Sequence, residues 1–151
     1  MPRLLIVHHT PSPATHDMLT AVRSGATNPA IEGVDVTLSP ALTTSAVEVL
    51  NADAYLLGSP ANLGYLSGAL KHFFDQIYYP CLEATIGRAY GVFLHGNTDT
   101  TGALRALEMI TTGLQWRQAQ APVIVLNQPV QSDLEACWEL GAAVAAGLVL
   151  G

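Results

Sequence analysis

Ala54-Tyr55-Leu56-Leu57-Gly58-Ser59-Pro60-Ala61-Asn62-Leu63-Gly64-Tyr65-Leu66-Ser67-Gly68-Ala69-Leu70-Lys71-His72-Phe73-Phe74-Asp75-Gln76-Ile77-Tyr78 is the stretch that decides the architecture. It opens on a short apolar run, 54–58, of the kind found in parallel strands covered on both faces. It closes on a helical pattern over 67–79. Leu70, Phe73, Phe74, Ile77 and Tyr78 recur at i, i+3, i+4, i+7 and i+8, which lays one apolar stripe along a helix. Lys71 and Asp75 form an i, i+4 pair on the other side. Between strand and helix runs Gly58 to Gly68, a long and almost uncharged connection. Connections in βα units are usually about two to six residues, and longer ones tend to be functional.

The same unit repeats on both sides of this stretch. Apolar runs at Leu4–His8, Val34–Leu38, Tyr90–Leu94 and Val123–Leu126 predict four more strands, the second alternating like an edge. Helical patterns fill the gaps. One runs from Thr15 to Arg23 and buries Met18, Leu19 and Val22, and a shorter one covers 44–51. Ala103, Leu107, Ile110 and Leu114 mark a third over 101–115, and Leu134, Cys137, Trp138, Gly141, Val144, Ala145 and Leu148 a fourth over 132–150. Strand and helix alternating five times predict an α/β fold, doubly wound, over one domain spanning 1–151. Five parallel strands favour the order 2-1-3-4-5, with helices on both faces. Ligands then bind beyond the carboxyl ends of the strands, near loops 9–15, 58–66 and 95–101.

Composition narrows the function. Of 151 residues 50% are hydrophobic and only 12% charged, against about 25% in an ordinary domain. With 6 basic and 12 acidic residues the net charge is −6, and Lys71 is the only lysine. A chain without a basic stripe is a poor partner for nucleic acid or an anionic membrane surface. The charge-free stretch 54–70 contains Pro60, Asn62 and three glycines, which excludes a membrane span. Cys81 and Cys137 stand in no metal-ligand spacing, and no targeting segment is visible, so a reduced, cytoplasmic protein is expected. The segment Ala142–Leu150 is apolar all round, which predicts burial on more than one side and a homodimer.

The loops carry the chemistry. His9-Thr10-Pro11-Ser12-Pro13-Ala14-Thr15 offers three hydroxyls, at Thr10, Ser12 and Thr15, beside backbone amides, that of Ala14 among them, at a helix N-terminus. Amides and hydroxyls so placed bind a phosphate without a cation; the same hydroxyls also suit helix capping. The second loop, with Pro60, Ala61, Asn62, Leu63 and Gly64, could line a flat apolar ligand edge with its amides. The third, His95-Gly96-Asn97-Thr98-Asp99-Thr100-Thr101-Gly102, clusters small hydrogen-bonding groups, with Thr100 or Thr101 expected as a helix cap. Among the histidines His95 is best placed to approach a ligand, since it opens this loop.

Several chemistries fail at these positions. There is no G-x-G-x-x-G after the first strand, no P-loop, and no G-x-S-x-G elbow. The acidic pair of a response regulator and the cysteine of a low-molecular-weight phosphatase are missing. His8 and His9 are adjacent and point to opposite faces, so a shared metal is disfavoured.

Thr10-x-Ser12-x-x-Thr15 resembles the phosphate loop of flavodoxins. Ser59-Pro60 through Gly64, Ser67-Gly68, Lys71, Phe73 and Asp75-Gln76 resemble the corresponding segment of WrbA-type flavoproteins and NAD(P)H-dependent FMN reductases. The resemblance implies FMN as cofactor, with its phosphate at loop 1, Pro60–Gly64 along the isoalloxazine edge and Gly96–Thr100 on the other side. It implies chemistry carried by the flavin, with no catalytic side chain. Pro13 replaces the usual glycine and removes an amide donor. The long insertion of WrbA-type proteins is missing.

Three functions are compatible with these residues. The first is an oxidoreductase taking hydride from NADPH or NADH and passing electrons to a quinone or flavin. The second is a one-electron carrier. The third is a binding protein of the same fold that has lost tight FMN binding.

Overall fold

Leu4, Ile6 and Val7 are fully buried and Leu5 nearly so, because β1 (Arg3–His8) is flanked by strands on both edges and helices on both faces. The computed structural model describes residues 1–150. β1 pairs in parallel with β2 (Asp35–Pro40) on one side and β3 (Ala54–Asn62) on the other. β3 pairs with β5 (Ala89–Gly96), also in parallel. Side chains alternate across the sheet. Leu4, Ile6, Ala54 and Leu56 face α1 (Pro13–Ala26) and α5 (Gln131–Leu150). Leu5, Val7, Tyr55 and Leu57 face α2 (Ala46–Asn51), α3 (Gly68–Cys81) and α4 (Thr101–Leu114). The order 2-1-3-4-5 of the principal strands holds, with the second at the edge.

Two details of the sheet differ from the sequence reading. The segment beyond Gly58 is not an open loop. β3 continues through Pro60 to Asn62, turns at Leu63-Gly64 and returns as β4 (Tyr65–Leu66), antiparallel to its own end. The fifth strand position is split. β6 (Arg117–Gln118) pairs with the start of β5, and β7 (Val123–Leu126) with its end. Pro122, between them, has no N–H to continue a ladder.

The helices start where their caps dictate. α1 begins at Pro13 rather than Thr15, because Ser12 caps it and Pro suits the first helical position. Ser45 and Ser67 cap α2 and α3. α1 and α5 cross backbone to backbone. A Cβ added at Gly25 would run into the Trp138 carbonyl, and one at Gly141 into the Val22 carbonyl. α5 buries Cys137, Leu140, Gly141, Val144 and Ala145, but Trp138 turns outward and is 37% exposed, contrary to its place in the expected stripe.

A partly buried polar cluster closes the opposite end of the sheet. Arg88 donates to the carbonyls of Val49, Leu50 and Ala52 and to the Tyr55 hydroxyl. Trp116 stacks on Tyr55 with ring centroids 4.2 Å apart, and its indole N–H donates to Thr85. No helix among the described residues is long and apolar enough to cross a membrane. Cys81 and Cys137 are free and buried, and burial pushes the Cys137 thiol up to about 12.

Candidate functional site

Parallel strands deliver their carboxyl ends to one rim, and the segments leaving β1, β3, β5 and β7 meet there. They enclose a cleft of about 570 Å³, lined by Pro11–Ala14, Pro60–Asn62, His95–Asn97 and Asn127–Gln128. That volume suits a small-molecule or cofactor site. None of these lining residues carries a carboxylate, an ammonium or a guanidinium, and His95 is the one with an ionisable side chain.

The first wall is the N-terminus of α1. The Ser12 amide donates to Thr15 Oγ1 at 3.1 Å, and the Thr15 amide returns a bond to Ser12 Oγ at 3.2 Å. Thr15 Oγ1 also donates to the Ser12 carbonyl at 3.1 Å. Thr15 is therefore buried beneath the loop, and its hydroxyl holds Ser12 in place. Ser12 Oγ lies 2.9 Å from Thr15 Oγ1, and with the Thr15 proton given to the Ser12 carbonyl it is Ser12 that donates in this pair. Thr10 shares a 3.1 Å hydrogen bond with His8 Nδ1 instead of facing the cleft. Burial, then repulsion from His9 and His16, holds the His8 imidazole below its ordinary value.

The second wall is the hairpin. Leu63 and Gly64 both have positive φ, 51° and 77°, as a tight two-residue hairpin turn requires. The turn stands clear of the cleft, with Leu63 wholly exposed, and leans on the first turn of α4. A Cβ on Gly102 would overlap the Gly64 carbonyl oxygen. Ser59, Pro60 and Ala61 lie in register with Leu94, His95 and Leu66, so the wall is strand rather than loop.

The third wall follows β5. Gly96 is buried, and a Cβ there would come within 2.8 Å of the Thr100 methyl. Thr100 occupies the N-cap position of α4 but its hydroxyl makes no capping bond. Asp99 does that work, accepting the Thr101 amide at 2.9 Å, and hydrogen bonds from Thr101 hold its carboxyl below the usual range. Asn127 sits in the left-handed region with φ 62°. Its amide donates to the Gly96 carbonyl at 2.8 Å, and its own carbonyl accepts His95 Nε2 at 2.7 Å.

Of the residues expected at the site, Ser12, Ala14, Pro60, Ala61, Asn62, His95, Gly96 and Asn97 share the cleft. Thr10, Thr15, Leu63, Gly64, Thr98 and Thr100 do not line it. Asn127 and Gln128 do, and the sequence reading missed them. The signal was their place just after the last parallel strand, at the ligand end of the sheet.

Comparison with solved structures settles the architecture. The flavodoxin, WrbA-like protein from Agrobacterium tumefaciens superposes with a TM-score of 0.78, covering 96% of each chain at 21% identity. The chain has a flavodoxin-like fold. The two-electron reduced Megasphaera elsdenii flavodoxin gives 0.78 at 25% identity, covering 94% of this flavodoxin-like chain and 98% of its own. In sequence, a flavodoxin of Aquifex aeolicus (strain VF5) is 34% identical over 77 residues. That match spans 51% of this chain and 40% of the relative's length. No protein-family model matches the sequence.

Proposed function

We propose that this flavodoxin-like chain binds FMN in the cleft and acts as an NAD(P)H-dependent oxidoreductase toward a quinone or flavin acceptor. The observation that carries the reading is a charge-free cleft at the carboxyl rim with a capped helix N-terminus opening into it. The donor set fits a phosphate. Ser12 lines the cleft and would turn its hydroxyl from Thr15 to the phosphate, Ala14 contributes an amide in the first turn of α1, and the helix N-terminus favours an anion. Pro11 and Pro13 contribute no N–H, so fewer amides serve this phosphate than an all-amide loop would supply. Pro60–Asn62 and His95–Asn97 would flank the ring, and the absence of carboxylates from the cleft wall suits a flat, largely apolar ligand. Bound FMN would supply the hydride chemistry, while the chain binds, orients and keeps charge away.

The test is an FMN titration of the purified protein by fluorescence quenching, followed by NADPH and NADH oxidation assays with quinone and free flavin. Binding near or below micromolar is expected. No uptake at ~100 μM, a binding free energy of only about −5.5 kcal/mol, refutes the reading. The sequence match to a flavodoxin favours a second reading, a one-electron carrier, which predicts separate one-electron steps in a redox titration. Exposed Trp138, Val149 and Leu150 on α5 support a homodimer, and a monomeric mass in light scattering refutes it. Two free thiols fit a reducing compartment such as the cytoplasm.

A further inference from the structure

The His95 side chain is fixed more tightly than a bystander in this cleft needs to be. A backbone carbonyl can only accept, so the 2.7 Å contact with Asn127 makes Nε2 the protonated nitrogen. The neutral ring therefore leaves Nδ1 as a bare acceptor. Protonation turns Nδ1 into a donor without disturbing the Nε2 bond. Nδ1 has no protein partner among the described residues. Asn127 holds its carbonyl in position by adopting φ 62°, uncommon for a residue with a side chain, and by its amide bond to Gly96. A left-handed residue and two hydrogen bonds thus fix the orientation of one imidazole at the cleft wall.

We propose that His95 is the proton-exchanging residue of the cleft, with Nδ1 taking up a proton when the bound cofactor ring is reduced. The proposal rests on the FMN reading above. A hydride from a nicotinamide donor brings two electrons and one proton to the neutral oxidised ring, leaving it with one negative charge. A second proton, drawn from solvent onto Nδ1, restores neutrality, and it returns to solvent or to the acceptor when the electrons leave. No other lining side chain offers a compensating charge. The flanking strand partners of His95, Pro60 and Val125, are uncharged. The carboxylates of the neighbouring loops, Asp99 and Asp133, are each committed to a backbone N–H. His8 and His9, at the end of β1, and His16, in the first turn of α1, are further titratable groups of this rim, and His8 is tied to Thr10.

The test compares FMN dissociation constants for oxidised and dithionite-reduced cofactor from about pH 5.5 to pH 8, the imidazole range. Wild type is set against His95→Gln, whose amide can still donate to the Asn127 carbonyl. In wild type, reduced FMN is expected to weaken relative to oxidised FMN by up to about tenfold per pH unit, one linked proton, as pH rises. Any titration of the flavin itself is common to both proteins, so the readout is their difference, greatest at the acid end. Nitrogen NMR of labelled wild type needs no variant. It should show the Nε2–H tautomer, with Nδ1 gaining a proton on reduction of bound FMN. Coincident pH curves, or a proton on Nδ1 in place of Nε2 in the neutral ring, overturn the proposal and leave the FMN reading standing. Failure of wild type to take up FMN overturns both.

Discussion

Gly102→Ala separates the stability of this fold from the shape of its cleft. Gly102 lies in the first turn of α4, where a Cβ would overlap the Gly64 carbonyl oxygen, far inside the 3.4 Å of ordinary contact. Helix or hairpin must therefore give way by more than an ångström. α4 is anchored by buried Ala103, Leu107 and Leu114, whereas the hairpin is held to β3 by only the Ala61–Leu66 and Asn62–Tyr65 pairs. The hairpin is the side that moves. Overpacking costs about 1–3 kcal/mol, and replacing Gly by Ala within a helix returns up to about 1 kcal/mol. The net loss, about 0–3 kcal/mol, corresponds to a melting shift of at most about 12 °C for a chain of this size. Cofactor binding should suffer more, because Ala61 and Asn62 move with the hairpin. Misplacing a binding wall by an ångström can cost a hundredfold in a positioned reaction, and a tenfold or greater rise in the FMN dissociation constant is expected. Circular-dichroism melting and FMN titration on the same preparation measure both effects. A variant that binds FMN as wild type does would show that the hairpin does not shape the site.

Further outcomes follow from the same contacts. At the α1–α5 crossing neither helix can yield, so Gly25→Ala and Gly141→Ala should each cost about 3 kcal/mol or more and lower the melting temperature by about 6–12 °C; unchanged melting would contradict the close crossing. Ser12→Ala removes the α1 cap, for about 1 kcal/mol of stability, and should narrow the preference for FMN over riboflavin. An unchanged ratio of the two affinities would mean that Ser12 does not meet the phosphate. Burial holds the His8 imidazole below its ordinary value, so the unfolded chain takes the proton first and stability is lost as pH falls below about 6.5. His8→Asn should flatten the melting temperature between about pH 7 and pH 5, and a profile as steep as wild type would reject that linkage.

Strand order and the place of the cleft were legible because they rest on periodicity, which survives in a single sequence. The continuous run Leu4–Val7 announced a central strand, and the stripe from Leu70 to Tyr78 announced its covering helix. The hairpin was not legible, because Pro60 argues against a strand and Leu63 against a left-handed turn. Pairing with β5 and β4 outweighed both preferences. The three hydroxyls of loop 1 were legible as a group, but not how they divide. Only three-dimensional placement shows that Thr15 is turned under the loop to hold Ser12 and that Thr10 is turned to His8. Trp138 reads as a stripe residue by spacing alone; the close approach of the backbones at Gly25 leaves its side chain outside.

The divided fifth strand makes the outer edge of the sheet behave as two independent clasps. β6 follows α4 through Trp116, whose stack on Tyr55 ties it to the Arg88 cluster, while β7 runs into Asn127 and the anchor of His95. Along β5 the pairing lapses between Tyr90 and Phe93. A strain applied at the cleft, as a ligand enters or leaves, is thus free to loosen β7 without passing down a continuous ladder to the aromatic cluster.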